Sequence, residues 1–224
     1  HLVSCRMSEE FALQEEQLKN DICKVMKNLF SRGLISALGG NVSARLPGSN
    51  EVWITPSGIF KGELNPEDLV KVDLDGNVLD GFLRPSIEWP FHTAIYKVRP
   101  DVNAVVHTHN PFTLGLALAG VGLKPITVEA VMVLRKVEMV PFAFPGTKDL
   151  AELVREKAEA GARAIILQNH GIVALGANLY EAEAIAETLE EVAVAQFVAM
   201  ALGKEPPIIP ERDVELYYKL YGIA

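Results

Sequence analysis

The sequence has only two cysteines in 224 residues, Cys5 and Cys23. That is too few for a disulfide framework, and their placement makes no thiolate zinc site. Such scarcity fits a reducing, cytoplasmic setting. No stretch reaches the roughly 18 consecutive apolar residues of a membrane span, and residues 1–6 lack the apolar core of a signal peptide. Positive charge is also short: 21 Lys and Arg face 29 Asp and Glu, a net charge of -8. A general nucleic-acid binder, which carries a basic stripe, is therefore excluded. An anionic substrate is not, because converging backbone N–H groups and a metal can bind phosphate inside an acidic protein. Neither a P-loop nor a dinucleotide-binding fingerprint occurs, which removes support for nucleotide chemistry. There is no internal repeat and no low-complexity block.

What is present describes a globular chain. Hydrophobic residues make up 49% and charged residues 22%, which supports a packed core in one domain. Met7-Ser8-Glu9-Glu10 reads as the natural start, so residues 1–6 are expected to be a disordered or vector-derived extension and 7–224 the domain. Ser8 reads as the cap of a helix over 8–32, with Phe11, Leu18, Ile22, Val25 and Leu29 on one face and Gly33 closing it. Further helices are expected over 86–98, 111–119, from Thr147 to about Ala160, from Asn178 to about Ala201, and over 214–221. Strands are expected at 52–55, 69–74, 104–106, 125–128, 137–140 and 164–167. Most connections are too short for regular crossover units. The fold class is accordingly α/β of the α+β layered kind: a single domain with a central, mainly antiparallel sheet flanked by helices.

Two of these strands run straight into histidine. Ala104-Val105-Val106 leads into His107-Thr108-His109, and side chains two apart on a strand share a face. Ala164–Leu167 leads into Gln168-Asn169-His170-Gly171 in the same way. If the two strands are neighbours, three imidazoles converge, and three histidines with an open position are the ligand set of a catalytic zinc. His92 lies within an expected helix and is read as a packing or bonding residue. Glu88, between Ile87 and Trp89, has two readings. Apolar surroundings would raise its proton affinity and suit it to proton transfer; a first-turn acid favoured by the helix dipole would simply be solvated. Gly40-Asn41-Val42-Ser43 and Thr55-Pro56-Ser57-Gly58 are donor-rich turns of the kind that hold phosphate.

Taken in order and spacing, these pieces resemble the class II aldolase/adducin-head family, closest to its fuculose-phosphate aldolase branch. The resemblance runs from about residue 15 to 222. It is carried by Gly39-Gly40-Asn41-Val42-Ser43, Ile54-Thr55-Pro56-Ser57-Gly58, Arg84-Pro85-Ser86-Ile87-Glu88-Trp89 with Phe91-His92, Asn103 through His109, and Gln168-Asn169-His170-Gly171. It implies a zinc-dependent lyase that cleaves a ketose 1-phosphate, such as L-fuculose 1-phosphate, to dihydroxyacetone phosphate and a small aldehyde. It further implies a homotetramer with active sites at subunit interfaces. His107, His109 and His170 would hold the metal, zinc or another divalent ion such as cobalt or manganese. Glu88 would sit on or near it as general acid/base. Gly40, Asn41, Ser57, Gly58 and Ser86 would hold the substrate phosphate.

Three departures stand out. Ile87 replaces the second of two serines often found in the phosphate site. Glu129 occupies the position of a tyrosine that enters from a neighbouring subunit. Tyr221 matches a tyrosine of the mobile tail. Glu129 and Tyr221 are thus the candidates for a second proton donor. The family also holds pentulose-phosphate epimerases, a methylthioribulose-phosphate dehydratase and sugar-acid phosphate decarboxylases, which could share such a site. A non-catalytic interaction domain like the adducin head would be expected to show a broken histidine set, and here the set is whole.

Overall fold

The computed structural model describes residues 2–223. Eight strands form one sheet in the order β4-β3-β2-β1-β5-β8-β7-β6. They are β1 (Asn41–Ala44), β2 (Glu51–Ile54), β3 (Val70–Asp73), β4 (Val78–Asp80), β5 (Ala104–Thr108), β6 (Val137–Val140), β7 (Ala164–Leu167) and β8 (Gly171–Gly176). Every pairing is antiparallel except β6 with β7. That pair is joined through a helix, as a parallel connection requires. The helices are α1 (Leu2–Ser31), α2 (Trp89–Val98), α3 (Pro111–Leu118), α4 (Lys148–Glu159), α5 (Leu179–Ala201) and α6 (Glu211–Leu220).

The central strands are apolar on both sides because both sides are covered. Ala104, Val106, Ile172 and Ala174 pack with Met26 and Leu29 of α1 and Ile185 and Leu189 of α5. Val105, Val173 and Leu175, pointing the other way, pack with Phe91 and Ile95 of α2 and Leu150 and Val154 of α4. The result is a three-layer helix–sheet–helix sandwich. Among the described residues no helix is long and apolar enough to cross a membrane.

Several expectations need correction. The first helix begins at Leu2, not at Ser8, so residues 2–6 form its first turns; residue 1 lies outside the described residues. The Ser8 hydroxyl donates to the carbonyl of Cys5 three residues back, a helix-interior bond rather than a cap. No strand forms at 125–128: Ile126 N–H closes a tight turn on Lys124, and a five-residue π-helix follows at Ala130–Leu134. α2 starts at Trp89 because Ser86–Trp89 make a turn first. The segment at 41–44, read as a turn, is a strand paired on both edges, with Asn41 opposite His107. Thr147 and Asn178 do cap α4 and α5, accepting from the N–H groups of Leu150 and Glu181.

Candidate metal centre

β5 extends through His107 to Thr108, and its partner β8 begins at Gly171. The register sets Thr108 beside Ile172 and Leu167 beside Gly171. The turn from β7 to β8 therefore delivers His170 next to the end of β5. Asn169 makes this turn possible with φ 64, a left-handed conformation that Asn tolerates. The ligand atoms of His107, His109 and His170 lie within 4.8 Å of one another. Ring centroids stand 5.1 Å apart for His107 and His109, and 4.7 Å for His107 and His170.

Two glycines make room for His109. A Cβ on Gly39 would lie 2.5 Å from its Cε1; a Cβ on Gly171 would lie 3.1 Å from its Cδ2 and 2.3 Å from the Thr108 carbonyl. Neither could be accommodated without moving the ring or the strand. The sequence reading placed Gly39 beside an anion turn; its closest neighbour is an imidazole.

Glu88 is not the solvated helix acid of its second reading, nor is its proton affinity raised as apolar surroundings alone would make it. It is 7% exposed, occupies the N-cap position of α2 without capping it, and turns its carboxylate to the histidines. Oε2 lies 3.1 Å from His107 Nε2 and Oε1 lies 3.0 Å from His170 Nε2. Asn41 Nδ2 donates to Oε2 at 2.7 Å. Burial opposes the carboxylate charge, but the neighbouring His107 and His170 outweigh it and hold the group well below the usual carboxylate range. Burial also opposes charge on His107, yet the Glu88 carboxylate raises its proton affinity overall. His109 is pushed down to about 4 by burial and by the other two imidazoles.

The donor set fits a divalent metal. His107 Nδ1 bonds the Ile172 carbonyl at 2.8 Å, so that nitrogen carries the proton and Nε2 offers its lone pair. His107 Nε2, Glu88 Oε1 and His170 Nδ1 are buried polar atoms with no aligned hydrogen-bond partner. Buried polar atoms are normally paired, so unpaired atoms of this kind around one point mark a place for a ligand. Three imidazoles suit zinc, cobalt or manganese alike.

The remaining expected residues divide into two groups. Asn41 and Ser86 are buried beside Glu88, and Ser86 Oγ accepts from the Glu88 N–H at 3.2 Å. The Thr55–Gly58 turn is joined to the segment 84–86 by two backbone bonds, Ser57 N–H to the Arg84 carbonyl and Ser86 N–H to the Thr55 carbonyl. Gly40 neighbours the His107 carbonyl, and Ile87 is exposed. Glu129 and Tyr221 do not join them. Both are exposed, and among the described residues no hydrogen bond, ion pair or ring contact links either to the histidines. The Tyr221 ring packs on Tyr217 instead. His92, read as a packing or bonding residue, is one: its Nε2 lies 2.5 Å from Asn41 Oδ1 and its ring stacks on Phe91. Sequence reasoning missed Lys61, buried, with its amine donating to the Pro56 carbonyl in the same turn. A cation inside an apolar stretch was the signal available for Lys61.

Residues 20–197 match the family model described as Class II Aldolase and Adducin N-terminal domain. An L-fuculose phosphate aldolase of Methanococcus maripaludis is 39% identical over 178 residues, covering 80% of this chain and 95% of that protein. A 5-deoxy-D-ribulose 1-phosphate aldolase of Bacillus thuringiensis serovar kurstaki is 35% identical over 203 residues, 91% of this chain and 93% of the other. A 3-oxo-tetronate 4-phosphate decarboxylase of Escherichia coli K12 is 37% identical over 202 residues, 88% and 92% of the two chains. Among solved structures, an L-fuculose 1-phosphate aldolase superposes with TM-score 0.84 at 33% identity, over 92% of this chain and 96% of that one.

Proposed function

The chain belongs to the class II aldolase and adducin N-terminal domain family, and from that premise we propose that it cleaves a ketose 1-phosphate, such as L-fuculose 1-phosphate, by a zinc-dependent retro-aldol reaction. The products are dihydroxyacetone phosphate and a small aldehyde. One observation carries this reading: a buried carboxylate, Glu88, turns each of its oxygens to one of three convergent imidazoles.

His107, His109 and His170 would hold the metal, with Glu88 on or beside it. Such a metal acts as a Lewis acid and stabilises negative charge that develops on substrate oxygen. Everything else falls to the chain. In the condensation direction Glu88 takes the proton from the carbon beside the carbonyl of dihydroxyacetone phosphate, and in the cleavage direction it returns that proton. Oε1 is the oxygen with a lone pair to spare, because Oε2 already accepts from Asn41. The hydroxyl at the breaking bond must also lose a proton. Glu129 and Tyr221 are the candidates, and as both are exposed in a single chain they would serve the site of a neighbouring copy in a homotetramer. The phosphate would rest on Gly40, Asn41, Ser57, Gly58 and Ser86. Asn41 has one amide N–H left for it, and Ile87 contributes no hydroxyl.

The test is release of dihydroxyacetone phosphate from L-fuculose 1-phosphate, measured with the protein as purified, after chelation, and after zinc is added back. Unchanged activity without metal overturns the proposal. A second reading, decarboxylation of a sugar-acid phosphate, is favoured by the decarboxylase-named relative alone. Carbon dioxide release from a 3-oxo-acid phosphate, with no cleavage of ketose phosphates, would establish it instead.

A further inference from the structure

Behind Glu88 runs a line of buried polar groups that, Asn41 apart, the proposed reaction leaves unused. The Tyr96 hydroxyl lies 2.8 Å from Ser43 Oγ, and Ser43 Oγ lies 2.6 Å from His92 Nδ1. His92 Nε2 lies 2.5 Å from Asn41 Oδ1, and Asn41 Nδ2 lies 2.7 Å from Glu88 Oε2. All five side chains are buried, His92 and Ser43 completely. They come from β1, α2 and the turn before α2, so the line forms only when the helix packs on the sheet.

The chemistry of one end fixes every direction. An ionised carboxylate only accepts, so Asn41 must present its N–H to Glu88. The Asn41 carbonyl oxygen then accepts, so His92 Nε2 carries the ring proton. Burial, and next the charge of His107, push His92 down to about 3, which keeps the ring neutral with one N–H only. His92 Nδ1 is therefore an acceptor for the Ser43 hydroxyl, whose oxygen in turn accepts from Tyr96. A reversed Asn41 amide would set two oxygens face to face at 2.7 Å and leave His92 Nε2 opposite an N–H.

We propose that His92 is a positioning residue whose Nε2–H locks the Asn41 amide with its N–H on Glu88 Oε2, leaving Oε1 as the oxygen that handles the proton. The carboxylate thereby keeps one rotamer and one reactive oxygen. The catalytic consequence rests on the reading of Glu88 as the proton-transfer group; the hydrogen-bond order does not depend on which reaction is run.

Three variants and one spectroscopic measurement test this. His92→Leu removes the donor. His92→Gln keeps a donor, because its side-chain amide reaches the position of Nε2. His92→Asn is too short to reach Asn41. With one equivalent of zinc bound in each, His92→Leu and His92→Asn should lower kcat about 10- to 100-fold with a smaller change in KM, and His92→Gln should recover most of the loss. Nitrogen-15 NMR of the metal-free wild type should show His92 protonated at Nε2 alone. The Asn41 side-chain amide protons should resist exchange in the wild type and in His92→Gln, and exchange freely in His92→Leu. An Nδ1–H tautomer, or an Asn41 amide equally protected in His92→Leu, overturns the proposal whether or not the variants fold well. Equal loss of kcat in His92→Leu and His92→Gln also overturns it. Absence of aldolase activity in every form, with the NMR pattern as expected, refutes the proposed reaction while the His92–Asn41–Glu88 order stands.

Discussion

The side chain of Asn41 donates a 2.7 Å hydrogen bond to Oε2 of Glu88 across 47 positions of sequence. Asn41 opens β1, which pairs with β5 directly opposite His107. Glu88 precedes α2, which packs on the face of these strands that carries Val105 and His107. One bond therefore ties the proton-transfer candidate to the strand that pairs with His107. Glu88→Gln keeps the shape of this group but removes its charge and its basicity. The expected result is a fall in kcat of about 100- to 10,000-fold, with thermal melting little changed, as read by a coupled assay for dihydroxyacetone phosphate.

The pair Glu88 and His107 makes the stability of the metal-free protein depend on pH in two senses. The folded carboxylate binds protons more weakly than an unfolded one, so its contribution is present above about pH 4.3 and is lost as pH falls below it. Folded His107 binds its proton more tightly, so its contribution is present below about pH 6.5 and is lost as pH rises through its folded value. His109 and His92, pushed down to about 4 and about 3, act in the opposite sense to His107 and cost stability as pH falls below about 6.5. Urea midpoints of the metal-free protein should therefore rise with pH to about 6.5 and decline above it as His107 loses its proton. With metal bound, His107 is held deprotonated and the alkaline decline should vanish. A metal-free protein equally stable from pH 4 to pH 8 would contradict this.

Gly171→Ala tests the packing of His109. The added methyl would meet the Thr108 carbonyl at 2.3 Å and His109 at 3.1 Å. Both are fixed, the first by the β5–β8 ladder and the second by a backbone bond from His109 N–H to Leu34 at 2.8 Å. The expected cost is about 1–3 kcal/mol of stability, together with weaker metal retention in competition with a chelator. Retention equal to wild type would show that the strand end yields more easily than its pairing implies.

Lys61 buries an amine whose one hydrogen bond among the described residues is to the Pro56 carbonyl. Burial lowers its proton affinity, with Glu88 offsetting part of this. A lysine that loses proton affinity on folding opposes folding while charged, and stability gains as pH rises toward its ordinary range. Lys61→Met should therefore melt at a higher temperature, by the equivalent of about 1 kcal/mol or more at neutral pH. A lower melting temperature would show that the carbonyl bond outweighs the desolvation.

Five of the eight strands and the histidines of the cluster were legible because they rest on local patterns, whereas β8, which lies between β5 and β7 where the two were expected to be neighbours, was not. Apolar β-branched residues at 104–106 and 164–167 mark strands, and alternation places His107 and His109 on one face. The sandwich explains why those strands are apolar throughout. β1 was not legible, since four residues containing Asn41 and Ser43 look like a turn until two neighbours pair with them. The segment 125–128 failed in the opposite sense: β-branched composition suggested a strand, but among the described residues no strand pairs with it.

From residues alone the chain determined its layered α/β class, its acidic character and the three histidines able to meet, because periodicity and strand ends are properties of neighbours in sequence. The role of Glu88 was left open between a buried base and a solvated helix acid. Tertiary packing excluded the solvated alternative, by closing α2 over the sheet and burying the carboxylate. It also decided that His92 faces Asn41, 51 positions away, and that Glu129 and Tyr221 stand outside the site of their own chain. Such relationships depend on which surfaces meet when the layers assemble, and no local pattern encodes that.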